Sequence, residues 1–185
     1  MRSLLLMRGA PGCGKSTWIK NHNLEEYALS PDNIRLLCSS PKLNVDGTIS
    51  VSQEDDNYVW NTLFEILKHR MEKGEFTVID ATCSKTTDIT RFKKIAQEYR
   101  YRMYIVDFTI VPIEVCKRQN KMRNSLKVVP DKTIDKMYAR FASQEIPSGV
   151  KIIEPNQFDS VLETPIDLSE YEKIIHIGDI HGCYD

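Results

Sequence analysis

No stretch of this 185-residue chain is apolar for the roughly 20 residues that crossing a bilayer requires. The run Leu4-Leu5-Leu6-Met7 near the N-terminus is also too short for the h-region of a secretory signal. An excess of one charge is missing as well: the net charge is −1, so no broad basic face is advertised. A nucleic acid would then be gripped at one end and not along its length. The five cysteines (13, 38, 83, 116 and 183) are odd in number and show no C-x-x-C or Cys/His ligand spacing. That argues against a disulfide framework or a structural zinc site and for reduced thiols in a cytoplasmic compartment. Internal repeats and low-complexity segments are lacking too. What remains, 41% hydrophobic and 28% charged residues, fits a soluble globular chain with one domain of ordinary size.

Glycine is scarce, at 8 residues, and three of the eight fall within six positions. They lie in Gly9-Ala10-Pro11-Gly12-Cys13-Gly14-Lys15-Ser16, which matches G-x-x-x-x-G-K-[ST] at every defined position. The motif follows an apolar strand candidate and precedes Thr17-Trp18-Ile19-Lys20, which can continue as a helix. Glycines let successive backbone N–H groups converge on phosphate oxygens, and the helix N-terminus adds partial positive charge. Lys15 can reach β- and γ-phosphates, and the Ser16 hydroxyl can hold Mg²⁺. The expectation is a nucleoside triphosphate bound by residues 9–17.

The rest of the chain alternates between short apolar runs and helical periodicity. Strands are expected near 2–7, 27–29, 76–80, 103–110 and 150–153. Pro31 can open a helix to Cys38, and Pro112 and Pro130 can open two more. Residues 39–51 read as loop, with a small hairpin around Asp46-Gly47. Ser52 and Asp55 resemble a capping-box start. The stripe Val59, Trp60, Leu63, Ile66, Leu67, Met71 recurs at helical spacing and reads as core, ended by Gly74. A further helix is expected over 86–99. Strands alternating with helices indicate an α/β fold with a central parallel sheet flanked by helices, whose ligands sit at the carboxyl ends of the strands. The phosphate loop, Asp32 and Asp80 all fall just beyond such ends and should share one crevice.

Phosphoryl transfer needs a donor cradle, a metal, a base for the nucleophile and cations for the developing charge. Asp32 and Arg35, three residues apart, can lie on one helical face. Asp32 could take the proton of an acceptor hydroxyl while Arg35 holds an acceptor phosphate; the alternative is an early-helix acid with a solvated partner. Asp80 ends an apolar strand, where an acid can orient the Mg²⁺ shell or merely cap the next turn. Residues 116–127 hold five cations, suiting a mobile lid or a solvated helix face. Asn120-Lys121-Met122-Arg123 lacks the acid of a guanine-reading N-K-x-D segment, which disfavours a GTPase. His22 and His69 read as surface residues.

Taken in order, the loop Gly-Ala-Pro-Gly-Cys-Gly-Lys-Ser-Thr-Trp, Ser-Pro-Asp-Asn-Ile-Arg, Val-Ile-Asp-Ala-Thr, Asn-Lys-Met-Arg, and Val129-Pro130 with Met137-Tyr138 resemble the phage and bacterial polynucleotide 5′-hydroxyl kinases of RNA end healing. The resemblance spans residues 1 to about 155. It implies a P-loop kinase fold with a helical lid, and ATP and Mg²⁺ as cofactors. It also implies a 5′-hydroxyl end of RNA or DNA as acceptor. By that resemblance Asp32 is the general base, Arg35 the acceptor-phosphate contact and Arg123 the lid arginine, with Arg118 as second candidate. Many relatives carry Asn where this chain has Cys83, so no role is carried over to that position. Rival expectations are a small-molecule or nucleoside kinase and a non-catalytic nucleotide-binding module.

At the C-terminal end, Lys173-Ile174-Ile175-His176-Ile177-Gly178-Asp179-Ile180-His181-Gly182 resembles the first motif of binuclear metallophosphoesterases. Asp179 and His181 are then expected ligands for Mn²⁺ or a similar ion. The expected organisation is a kinase domain over 1–155, a linker over 156–172 and the first strand of a truncated phosphatase domain over 173–185. Phosphatase and ligase domains would be covalently linked in the parent protein.

Overall fold

In a computed structural model, residues 2–45, 49–50, 55–123 and 125–158 are described. The turn of the expected hairpin, Ser52, and the Asp179/His181 motif lie outside the described residues, as does most of the expected linker. Five strands form one parallel sheet: β1 (Ser3–Arg8), β2 (Ala28–Leu29), β5 (Thr77–Ile79), β6 (Arg102–Asp107) and β7 (Lys151–Ile153), in the order β2-β5-β1-β6-β7. Two short strands, β3 (Lys42–Leu43) and β4 (Ile49–Ser50), pair antiparallel as a separate ribbon, in the loop where a hairpin was expected.

β1 occupies the middle of the sheet, and all six of its residues are buried. Its alternation divides the core. Leu4 and Leu6 point to one face and Leu5 and Met7 to the other, as a period of two requires. The first face is covered by α2 (Pro31–Cys38), α3 (Asp56–Glu72) and α4 (Thr86–Glu98), through Ile34, Leu63, Leu67, Ile89 and Phe92. Trp18 of α1 (Lys15–Asn21), Cys116 of α5 (Ile113–Lys121) and Ile134 of α6 (Asp131–Ser143) cover the second. Each fully buried Leu or Ile contributes about 1.5–3 kcal/mol. The two apolar layers therefore hold the sheet, and the loops beyond its strand ends are free to carry chemistry.

The helix openings follow the prolines: Pro31 is the first residue of α2, and Pro112 and Pro130 directly precede α5 and α6. The stripe on α3 is core except for Ile66, which is exposed. β6 stops three residues before the expected end at 110. The Asp107 carboxylate accepts the Thr109 N–H at 2.9 Å and turns the chain out of the sheet. The same acid meets Arg8 on the neighbouring strand at 3.0 Å. Arg8 reaches further to the Phe141 carbonyl at 3.3 Å, so a buried cation on the central strand ties β1 to β6 and α6.

Candidate active site

Because β2, β5 and β1 are neighbours and parallel, the segments leaving their carboxyl ends emerge side by side. Residues 9–14 leave β1, Asp80 leaves β5, and Ser30 leads from β2 into α2 with Asp32 in its first turn. The Gly9 N–H donates to the Thr82 carbonyl at 3.1 Å, and the Asp80 N–H to Leu29 at 2.9 Å, which stitches the three exits together.

Residues 9–14 form a loop that depends on glycine, at Gly12 and Gly14 above all. Gly12 (φ +82°) presses on α5, where a Cβ would lie 2.2 Å from the Cys116 carbonyl oxygen and 2.8 Å from the Asn120 nitrogen. Gly14 (φ +99°) has open space but adopts the left-handed backbone that turns the loop into α1. Ala10, Pro11 and Cys13 are buried, while Ser16 and Thr17 face solvent. Lys15 is buried: its ammonium donates to the carbonyls of Gly9 at 2.8 Å and Ala10 at 2.9 Å. The Ser16 hydroxyl donates to Asp80 at 2.8 Å. A hydroxyl bonded to a carboxylate beside a phosphate loop is the hard oxygen set that Mg²⁺ favours. Among the described residues no three His, Cys, Asp or Glu side chains converge, so phosphate oxygens and water would complete such a shell.

On the β2 side, Asp32 and Arg35 meet across one helical turn at 2.8 Å, as their spacing predicts. The other terminal nitrogen of Arg35 holds Asp56 in the first turn of α3. That second acid was not singled out in the sequence, because a pairing across 21 positions leaves no periodic signal.

The basic run 116–127 divides in two. Lys117 pairs with Asp135 at 2.7 Å and Lys121 with Asp131 at 3.3 Å, so these cations tie α5 to α6. Arg118 is exposed and Arg123, just beyond α5, is half-buried; neither meets a carboxylate among the described residues. Two positions from Arg118 on either side, Cys116 and Asn120 carry the contacts with Gly12. At 100° per residue, Arg118 therefore sits on the opposite face of α5 from the phosphate loop. Asn120 is fully buried, and its amide donates to the Val129 carbonyl at 2.7 Å while accepting the Val129 N–H at 3.1 Å. This two-point clasp closes the segment that contains Arg123. Sequence reasoning used Asn120 only as part of the Asn-Lys-Met-Arg segment, for the lid resemblance and against a GTPase.

Other positions differ from their sequence reading or gain a reason. His22 is not a bare surface residue, since its ring stacks on Trp18 at 3.9 Å and meets Phe158 edge-on at 5.5 Å. Phe158 is buried on the second core, and Trp18 donates to the Pro155 carbonyl at 2.9 Å. Cys83 is buried at φ +44°, a left-handed conformation that Asn adopts more readily than Cys. Burial, reinforced by Asp88, pushes its thiol pKa up, so it is an inert thiol and not a nucleophile.

The family model for the AAA domain matches residues 4–144. No curated protein matches. Among solved structures, the chain is similar to a chain of the Pnkp1/Rnl/Hen1 RNA repair complex, at 22% identity and TM-score 0.61 over 76% of this chain and 44% of that one. It is also similar to the AvrRxo1-ORF1:-ORF2 complex with ATP, at 15% identity and TM-score 0.58 over 77% of this chain and 48% of that one. A third is Chaetomium thermophilum Kti12 with ADP-AlF3, at 13% identity and TM-score 0.55 over 86% of this chain and 97% of that one. The chain thus spans less than half the length of the first of these. At such identities the likeness is one of fold, an α/β arrangement with a central parallel sheet flanked by helices. On the match over residues 4–144, the chain belongs to the AAA domain family.

Proposed function

We propose that the protein is an ATP-dependent polynucleotide 5′-hydroxyl kinase, transferring the γ-phosphoryl group of ATP to a 5′-OH end of RNA or DNA in end healing. The observation that carries the reading is the adjacency of three parallel strand exits, beyond which lie the phosphate loop, the Ser16–Asp80 pair and the Asp32–Arg35 pair. In this reading Asp32 takes the proton of the 5′-hydroxyl as its oxygen attacks the γ-phosphorus. The bond to the β–γ bridging oxygen breaks, and ADP leaves. Lys15 releases the Gly9 and Ala10 carbonyls and turns to the β- and γ-phosphates. Ser16 would hold Mg²⁺ with Asp80 orienting its shell; the ion would neutralise charge between the phosphates. Arg123 is favoured over Arg118 as the lid arginine, because Arg118 faces away from the loop. A general base and one charge-stabilising cation are each worth on the order of 10²-fold or more in rate.

The four cysteines among the described residues are free thiols, which suits a cytoplasmic setting. Among the same residues no helix is long and apolar enough to cross a membrane. We extend the reading to linked phosphatase and ligase domains, with Asp179 and His181 as ligands of the former.

The deciding experiment is ³²P transfer from γ-labelled ATP to a short 5′-hydroxyl oligonucleotide, with Lys15→Ala and Asp32→Ala beside wild type. Labelled oligonucleotide lost in both variants supports the kinase. Label on free nucleosides alone would move the assignment to a small-molecule kinase. ATP binding with no acceptor-dependent ADP release would indicate a non-catalytic module.

A further inference from the structure

Arg35 is held more firmly than a residue waiting for substrate needs to be. One terminal nitrogen donates to Asp32 and the other to Asp56, while Nε is buried without a hydrogen-bond partner. The Arg35 side chain is 14% exposed, against 55% for Asp32 and 51% for Asp56. The cation is therefore enclosed, and both of its carboxylates face water. A guanidinium whose edge already takes a carboxylate presents the fork geometry that also suits a phosphate. Of the two acids, Asp32 is three residues away on the same helix, whereas Asp56 comes from a separate element. Asp56 also sits in the first turn of a 17-residue helix, where the dipole stabilises a carboxylate released to solvent. Nearby, Ser39 donates to Asp55 at 3.3 Å, so α2 and the start of α3 stay joined without the Arg35–Asp56 pair.

We propose that Asp56 is a specificity-determining positioning residue: its carboxylate occupies the edge of Arg35 that an acceptor's phosphate takes, and the acceptor binds by displacing it. The inference rests on the kinase reading for its acceptor, a nucleotide with a phosphate beside the reacting sugar. Until displaced, Asp56 holds the guanidinium so that its other edge stays on Asp32. An acceptor without a phosphate leaves Asp56 in place and gains nothing from Arg35. The acid thus penalises weakly anionic ligands, which cannot compete with a tethered carboxylate.

Two measurements test this. With ADP and Mg²⁺ saturating the phosphate loop, inorganic phosphate is titrated into wild type, Asp56→Asn and the Asp56→Asn/Arg35→Gln double variant. Asp56→Asn should bind phosphate about tenfold more tightly than wild type, and the double variant should lose the gain. Equal affinity in wild type and Asp56→Asn, or a gain that survives Arg35→Gln, overturns the inference. Should Asp56→Asn fold poorly, Asp56→Ser serves in the same titration. In the kinetic arm, Asp56→Asn should lower KM for adenosine 3′-monophosphate several-fold and leave KM for adenosine unchanged, with Asp56→Glu restoring the wild-type ratio. A parallel change for both acceptors marks a merely structural role and overturns the inference. The titration needs no turnover. A phosphate gain at Arg35 alongside no transfer to any 5′-hydroxyl would keep the Asp56 inference and reject the kinase.

Discussion

In the proposed kinase, the donor side and the acceptor side of the site are built by opposite means. On the donor side Lys15 is buried, its ammonium bonded to two carbonyls, and Gly12 is wedged against the backbone of α5. The acceptor side is a chain of ion pairs, Asp32–Arg35–Asp56, with both acids about half exposed. A phosphate cradle has one invariant ligand and can be part of the core. An acceptor site of the proposed kind must open to a polymer end, so water-facing pairs worth about 0–1 kcal/mol each suit it better. Substitutions on the donor side should therefore register as lost stability and lost activity together, and those on the acceptor side as altered activity with little loss of stability.

Gly12→Ala should show the largest effect. The added Cβ meets a backbone carbonyl at 2.2 Å, which no rotamer change relieves, and the φ of +82° is strained for alanine. A cost on the order of 3 kcal/mol follows, roughly 6–12 °C in Tm for a chain of this size. ATP binding should weaken with it. A Tm unchanged within about 2 °C would mean that the loop is not packed against α5 as described.

Asn120→Ala comes next. It leaves the N–H and carbonyl of the half-buried Val129 without the fully buried side chain that pairs with them, at a cost of about 1–3 kcal/mol by urea unfolding. If the clasp sets the lid, kcat should fall while KM for ATP moves little. An unaltered kcat at reduced stability would make Asn120 a purely structural residue.

What the sequence shows of these two sides differs for the same physical reason. The cradle is contiguous, so Gly9 to Ser16 announces it, and Pro31 marks the start of α2 because its missing N–H and fixed φ suit a first helical position. The Asp32–Arg35 pair is legible from helical spacing. Asp56 is not, since nothing local says that the first turn of α3 will land on Arg35. Asn120 reads as one more polar residue on a basic helix until Val129 returns to it nine positions later. Asp107 looks out of place in an apolar strand, and only the register with β1 reveals Arg8 opposite. Periodicity reports which face of an element is buried, but not which element it meets. His22 was misread on that account, because Phe158, which meets its ring edge-on, lies at the far end of the described chain.

Alkali should also act on the donor side. Cys116 lies beneath Gly12, and burial raises its thiol pKa to about 11. A thiol whose pKa is higher in the folded than in the unfolded chain binds its proton more tightly when folded. Its contribution is complete below about pH 8.5 and is lost as pH rises toward 11, by up to about 1.4 kcal/mol per pH unit. The drop in urea stability between pH 8.5 and 10.5 should be smaller in Cys116→Ala than in wild type. Identical drops would place the alkaline loss elsewhere, Cys83, Tyr99 and Tyr101 being the other groups that burial shifts upward.

Asp32→Asn should produce the smallest change in stability. Asp32 gains from the N-terminal dipole of α2 and from Arg35 at 2.8 Å, together about 1 kcal/mol at low salt. At 0.5 M salt the Debye length falls to roughly 4 Å, and most of the difference from wild type should vanish. Phosphoryl transfer should fall on the order of 10²-fold or more at either salt concentration, because an amide cannot accept the hydroxyl proton. Melting curves at 50 mM and 0.5 M NaCl, read beside transfer rates, separate the two contributions. A salt-independent stability loss of several kcal/mol would show that the acceptor side is core after all, and the contrast with the phosphate loop would collapse. Activity that survives Asp32→Asn would instead remove Asp32 as the base and leave its ion pair with Arg35 as its whole role.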